Sequence, residues 1–147
     1  MRYITTLENN KVQALKKDYY KYLCLEKYLV ESHFSWLKLV LTGCMLNGEG
    51  NLEVGVRRYR VSVLYSPFFH DRIGRFDIIK IEDKSIRYDK KIHLYRDMSL
   101  CLYHPVVDKP PLNIIPLVRM IPWITEWCVH YEDWKKYGVW LGKEILH

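Results

Sequence analysis

The stretch RYRVSVLYS, residues 58–66, alternates, with Tyr59, Val61, Val63 and Tyr65 on one face of an extended chain and Arg58, Arg60 and Ser62 on the other. Such a pattern suits a strand whose apolar face is covered and whose basic face meets water. Two neighbouring stretches carry the same signal. WLKLVLTGCM (36–45) alternates Leu37, Leu39 and Leu41 against Lys38 and Thr42, and RFDIIKIED (75–83) resumes after the proline-bearing PFFHDRIG (67–74). In the latter, apolar positions switch from Phe76 and Ile78 to Ile79 and Ile81, which predicts a bulge or a strand buried on both faces. NGEGN (47–51) reads as a turn or loop, because Gly and Asn tolerate positive φ. Three consecutive strands predict a meander.

Helical spacing flanks the meander. From Leu7 to about His33, Val12, Leu15, Tyr19, Tyr22, Leu23, Leu29 and Val30 recur with lysines between them. From Asn113 towards Tyr137 a second apolar run follows, in which Asn113 is the expected N-cap and Pro122 must kink a helix or start one. Trp123, Trp127, Trp134 and Trp140 read as core anchors of this C-terminal part. The order predicts an α+β protein with one domain over residues 1–147, since 147 residues suffice for a single core without disulfides or metal.

Four scattered cysteines (Cys24, Cys44, Cys101, Cys128), none in a CxxC pair, and an N-terminus without an apolar leader predict free thiols in a reducing cytoplasm. The longest apolar run, PPLNIIPLV, stops at Arg119, well short of the roughly 20 residues that span a bilayer. The chain is therefore expected to be soluble and to have no membrane partner. The formal charge of +6 permits an anionic partner, but VRRYR (56–60) is the densest basic cluster and sits in a strand with no nucleic-acid-binding signature beside it. Nucleic acid is not the expected partner.

The chemistry-bearing stretch is IHLYRDMSLCLYHP (92–105). Between leucines, Cys101 can be a small buried hydrophobe. It can pair with His104, Cys128 and His130 around zinc, although His130 lies only two residues beyond Cys128 and would project away from it on a helix. It can also be a hydrolase nucleophile, with His93 or His104 as base and Asp97 or Asp108 orienting the ring, or a redox-sensing thiol.

HLYRDMSLCL, set after a helix and a meander and before C-terminal helices, resembles the ubiquitin-conjugating enzymes. Their signature is His-Pro-Asn, a short spacer, and a cysteine in an Ile/Leu-Cys-Leu context. His93 matches its first residue and Leu100, Cys101 and Leu102 its end, while YSPFFHDRIGRFDI resembles the family's proline-bearing stretch between its last two strands. With the tail WITEWCVHYEDWKKYGVWLGKEILH, the segment looks like the compact bacterial ubiquitin-conjugating-like proteins of CBASS anti-phage operons, which lie beside a cGAS-like nucleotidyltransferase.

The resemblance implies a ubiquitin-conjugating fold in which Cys101 carries the nucleotidyltransferase C-terminus as a thioester and promotes its conjugation. It implies no cofactor or metal, and a separate activating enzyme. His93 would brace the loop through its ring, and Tyr95 and His104 would contact the oxyanion or amine; Asp97 and Asp108 either orient an incoming lysine or are solvated loop residues, and the lysine-rich first helix either meets an acidic partner or, the preferred reading, is a solvated face. Leu94 and Tyr95 stand where the family has Pro and Asn, so the amide that supports the oxyanion is missing. One such donor is worth about 2.7–4 kcal/mol in acyl transfer. That loss motivates the alternative of a catalytically silent scaffold of the same fold, and the hydrolase remains a third reading.

Overall fold

The structure, a computed structural model, describes residues 19–66, 76–103 and 115–142. Expectations that fall elsewhere, including the start of the first helix, the Asn113 cap, His104 and Asp108, lie outside the described residues. Helix α1 spans Tyr19–His33 and is followed by strands β1 (Leu37–Thr42), β2 (Met45–Val54), β3 (Arg57–Tyr65) and β4 (Asp77–Ile81), a 3₁₀ turn (Lys90–Ile92), and helix α2 (Leu117–Tyr137). Among the described residues the four strands form one antiparallel sheet in the order β1-β2-β3-β4. The protein is α+β.

The meander has one strand more than the sequence predicts. NGEGN lies inside β2, paired on both sides: Gly48 opposes Leu39 and Val63, and Gly50 opposes Leu37 and Val61. Its glycines serve close approach. A Cβ at Gly48 would stand 2.0 Å from the carbonyl oxygen of Lys38, and one at Gly50 2.0 Å from that of Trp36. The reversals fall instead at Gly43-Cys44 and Gly55-Val56, two-residue hairpin loops whose glycine comes first with φ +61°.

β3 buries Tyr59, Val61, Val63 and Tyr65 and exposes Arg58 and Arg60, following its alternation. β4 pairs with β3 in unbroken register from Tyr65↔Asp77 to Val61↔Ile81, so of the two expectations there the bulge is absent, while Ile78 and Lys80 on the second face are half-buried. Asp77 and Ile79 point inward, and the irregular pattern arises because an acid takes a core position. At the opposite edge, Glu31 of α1 reaches over β1 and accepts the Leu39 N–H at 2.9 Å, shielding an otherwise open ladder position.

α1 packs on β1 and α2 with Leu23 and Val30 fully buried. It also supplies the N-terminal cap that α2 lacks locally, since Pro116 makes no side-chain cap bond. The Glu26 carboxylate, on α1, accepts the N–H of Val118 at 3.2 Å. Burial pushes the Glu26 carboxyl up, against the backbone hydrogen bonds that favour its charge. Beside it the Tyr65 hydroxyl donates to the Ile115 carbonyl at 2.9 Å and lies 2.8 Å from the Tyr22 hydroxyl, fixing the entry into α2. Helix α2 runs through Pro122 unbroken and ends at Gly138 (φ 70°). Of the four tryptophans expected as anchors, Trp127 is buried, and Trp123, Trp134 and Trp140 are partly buried against the core.

Candidate active site

Asp89 opens the 3₁₀ turn by accepting the Lys91 N–H at 2.8 Å, and the turn closes on His93 in the left-handed region (φ 57°, ψ 55°). A non-glycine residue there is uncommon and carries some strain. The chain then folds on itself. Leu94 bridges Leu100, the Tyr95 N–H donates to the Ser99 carbonyl at 2.9 Å, and Asp97 accepts both the N–H and the hydroxyl of Ser99. Asp97 thus closes the turn that presents the cysteine.

Cys101 emerges from this turn held by backbone bonds. Its N–H donates to the His93 carbonyl at 2.9 Å, and the Leu100 N–H donates to Ile79 on β4 at 2.7 Å. The main-chain carbonyl of His93 thus braces Cys101, and the His93 ring lies 5.1 Å from that of Trp140. Behind Cys101, the Tyr103 hydroxyl donates to buried Asp77 at 2.8 Å and accepts the Phe76 N–H at 3.0 Å. Burial and the Asp77 charge push the Tyr103 phenol far above its ordinary range, so it stays protonated.

On the other side, Trp127 of α2 donates its indole N–H to the Ile92 carbonyl at 2.8 Å, which pins α2 to the residue before His93. Between the two lies a cavity of about 350 Å³ lined by His93, Cys101, Leu102 and Tyr103 on one wall and by Arg119, Trp123, Glu126, Trp127 and His130 of α2 on the other, with Trp140 beside them. Positions 119, 123, 126, 127 and 130 recur at helical spacing, so one face of α2 forms that wall.

Cys101 is 2 % exposed, and its thiol lies 3.6 Å from the Tyr103 carbonyl oxygen. The structure brings His93 and Cys101 into one cavity, whereas Tyr95 is not among its lining residues. Cys128 is buried within α2, and burial with the Glu132 charge pushes its thiol up to about 12. Among the described residues no group of three or more His, Cys, Asp or Glu is placed to hold a metal ion, and no helix is long and apolar enough to cross a membrane. Sequence reasoning missed the α2 wall. Trp123, Trp127 and Trp140 share their side chains between core and cavity, and the spacing of Arg119, Glu126 and His130 with those tryptophans was the available signal.

The fold and this cavity define a small α+β protein with a cysteine-bearing segment docked against a helix. The model of one family, the Type II CBASS E2 protein, matches residues 26–147, and the chain belongs to that family, making it an E2-like protein of CBASS antiviral defence. The match includes β1 to β4, the cysteine segment and α2. No curated protein and no solved structure matches the chain.

Proposed function

We propose that Cys101 is the acyl carrier of a ubiquitin-conjugating-like transferase, that the described helix, meander, cysteine segment and C-terminal helix follow the ubiquitin-conjugating fold, and that the carried group is the C-terminus of a cGAS-like nucleotidyltransferase. The observation that carries this reading is the position of Cys101 on the wall of a cavity, backbone-clamped by His93, in a chain of the CBASS E2 family. In the cycle, the Cys101 thiolate attacks an activated C-terminal carbonyl delivered by a separate activating enzyme, expels that enzyme's leaving group, and forms a thioester. An amine then attacks the same carbonyl, the C–S bond breaks, and the thiolate returns.

Magnitudes favour positioning over ionisation. A free thiol is about 3 % ionised at pH 7, so full ionisation gains at most about thirtyfold. A well-oriented amine corresponds to effective molarities of about 10⁵ M or above. The backbone clamp on Cys101 and the pinned α2 wall serve that end. For the absent asparagine amide, the Leu102 N–H is the substitute: it adjoins Cys101, Leu102 lines the cavity, and among the described residues this N–H makes no hydrogen bond.

The test is a trapping experiment with the nucleotidyltransferase of the same operon. Cys101→Ser is expected to accumulate an adduct that resists thiol reductants, and Cys101→Ala none. Absence of any adduct on the unaltered chain with its partner contradicts the proposal. The burial of Cys101 favours a second reading, a catalytically silent scaffold, which requires Cys101→Ala to retain both partner binding and antiviral effect.

A further inference from the structure

His130 stands in the Cys101 cavity with no role in the reading above. It lies one turn beyond Trp127 on the α2 face that forms the second wall. Its Nδ1 is shielded from solvent and has no hydrogen-bond partner among the described residues. A buried polar nitrogen left unpaired is costly and calls for a reason, of which a catalytic role is one. The ring is also built in. Trp140 packs against it with centroids 5.5 Å apart, and Gly142 lies so close that a Cβ there would stand 2.6 Å from Cδ2 and 2.8 Å from Nε2. Gly142 therefore crowds the Nε2 side, and Nδ1 is the ring nitrogen that lacks a hydrogen-bond partner among the described residues.

We propose that His130 accepts the proton of the amine that attacks the Cys101 thioester, an inference that rests on the acyl-carrier reading. Attack of a neutral primary amine on the thioester carbonyl forms the C–N bond and leaves a positive charge on nitrogen. His130 Nδ1 takes one proton from that nitrogen as the tetrahedral adduct collapses, the C–S bond breaks, and its electron pair leaves on Cys101 Sγ. The imidazolium then returns the proton to the Cys101 thiolate or to water, so no external acid or base is consumed. The other titratable or charged groups around the cavity are His93, Cys101 and Tyr103 on the opposite wall and Arg119 and Glu126 on α2. Among the described residues neither Arg119 nor Glu126 forms an ion pair.

The test separates loading from discharge. The full chain is charged on Cys101 by exchange with the mercaptoethanesulfonate thioester of a glycine-terminated dipeptide, desalted, and mixed with excess free lysine. Loss of the acyl mass is then followed by intact mass spectrometry across pH. His130→Asn is expected to load like the unaltered chain, to discharge to lysine about 10²-fold more slowly, and to lose one ionisation from the pH–rate profile. Gly142→Ala, which crowds the ring without removing it, is expected to slow discharge with loading retained and keeps the test decisive if His130→Asn does not fold. Equal discharge rates and unchanged profiles in charged variants overturn the role of His130 alone. Failure of the unaltered chain to charge overturns the acyl-carrier reading, and this inference with it.

Discussion

Removing one oxygen atom, in Tyr103→Phe, tests whether the cysteine segment is held as described. The ring is buried and stays, so the variant loses only the hydroxyl that donates to Asp77 at 2.8 Å and accepts from Phe76 at 3.0 Å. A buried bond to a carboxylate contributes about 1.5–3 kcal/mol and one to a main-chain amide about 0.5–1.5 kcal/mol, so the expected cost is about 2–4 kcal/mol. At about 3 °C per kcal/mol for a chain of this length, the melting temperature should fall by about 6–12 °C in calorimetry. The two bonds tie β4 to the residue whose carbonyl lies 3.6 Å from the Cys101 thiol, so acyl loading should fall too, even well below the melt. A melting temperature within about 1 °C of the unaltered chain would refute the reasoning, because the two lost bonds would then contribute almost nothing.

Two further outcomes are expected. Because burial and Glu132 raise the Cys128 thiol to about 12, only about one part in 10⁴ is thiolate at pH 8, so iodoacetamide should spare Cys128 in the folded protein while alkylating exposed Cys44, as peptide mapping would read. For Glu132, burial raises the carboxyl, but hydrogen bonds from Tyr59 and Lys135 outweigh it and bring the folded value below 4.5. Its contribution is thus fully present above about pH 4.5 and is lost as pH falls through the folded value. Urea midpoints measured from about pH 5.5 down to about pH 3 should fall less steeply in Tyr59→Phe than in the unaltered chain.

Most of the sheet could be read from alternation, because β1 and β3 each bury one face and repeat with a period of two. β2 could not. Its Gly48 and Gly50 carry the composition of a turn, and what fixes them, the carbonyls of Lys38 on the neighbouring strand and of Trp36 just before it, becomes visible only once the strands are paired. β4 was harder to read for a related reason: Asp77 occupies an inward position, where it accepts a hydrogen bond from Tyr103, 26 residues away.

The candidate site was half legible. The segment from His93 to Tyr103 announces itself by residue type, and Cys101 was singled out with His93. The opposite wall did not, since a helix face that reads as Trp123 and Trp127 packing into a core also lines a cavity. The sequence offers His130 only as a zinc ligand, because the direction of its ring depends on Trp140 and Gly142 rather than on its spacing from Cys128. Tyr95 is the opposite case: it stands at the motif's asparagine position, yet it is not among the residues lining the cavity.

The central claim, that Cys101 carries an acyl group, is tested most directly by intact mass spectrometry of the protein co-expressed with its operon partners and purified without reductant. The account predicts an added mass equal to that of a partner polypeptide less one water, mapped to Cys101 and released by hydroxylamine at neutral pH. A Cys101 found unmodified in every preparation, or an adduct on another residue that survives Cys101→Ala, would contradict it.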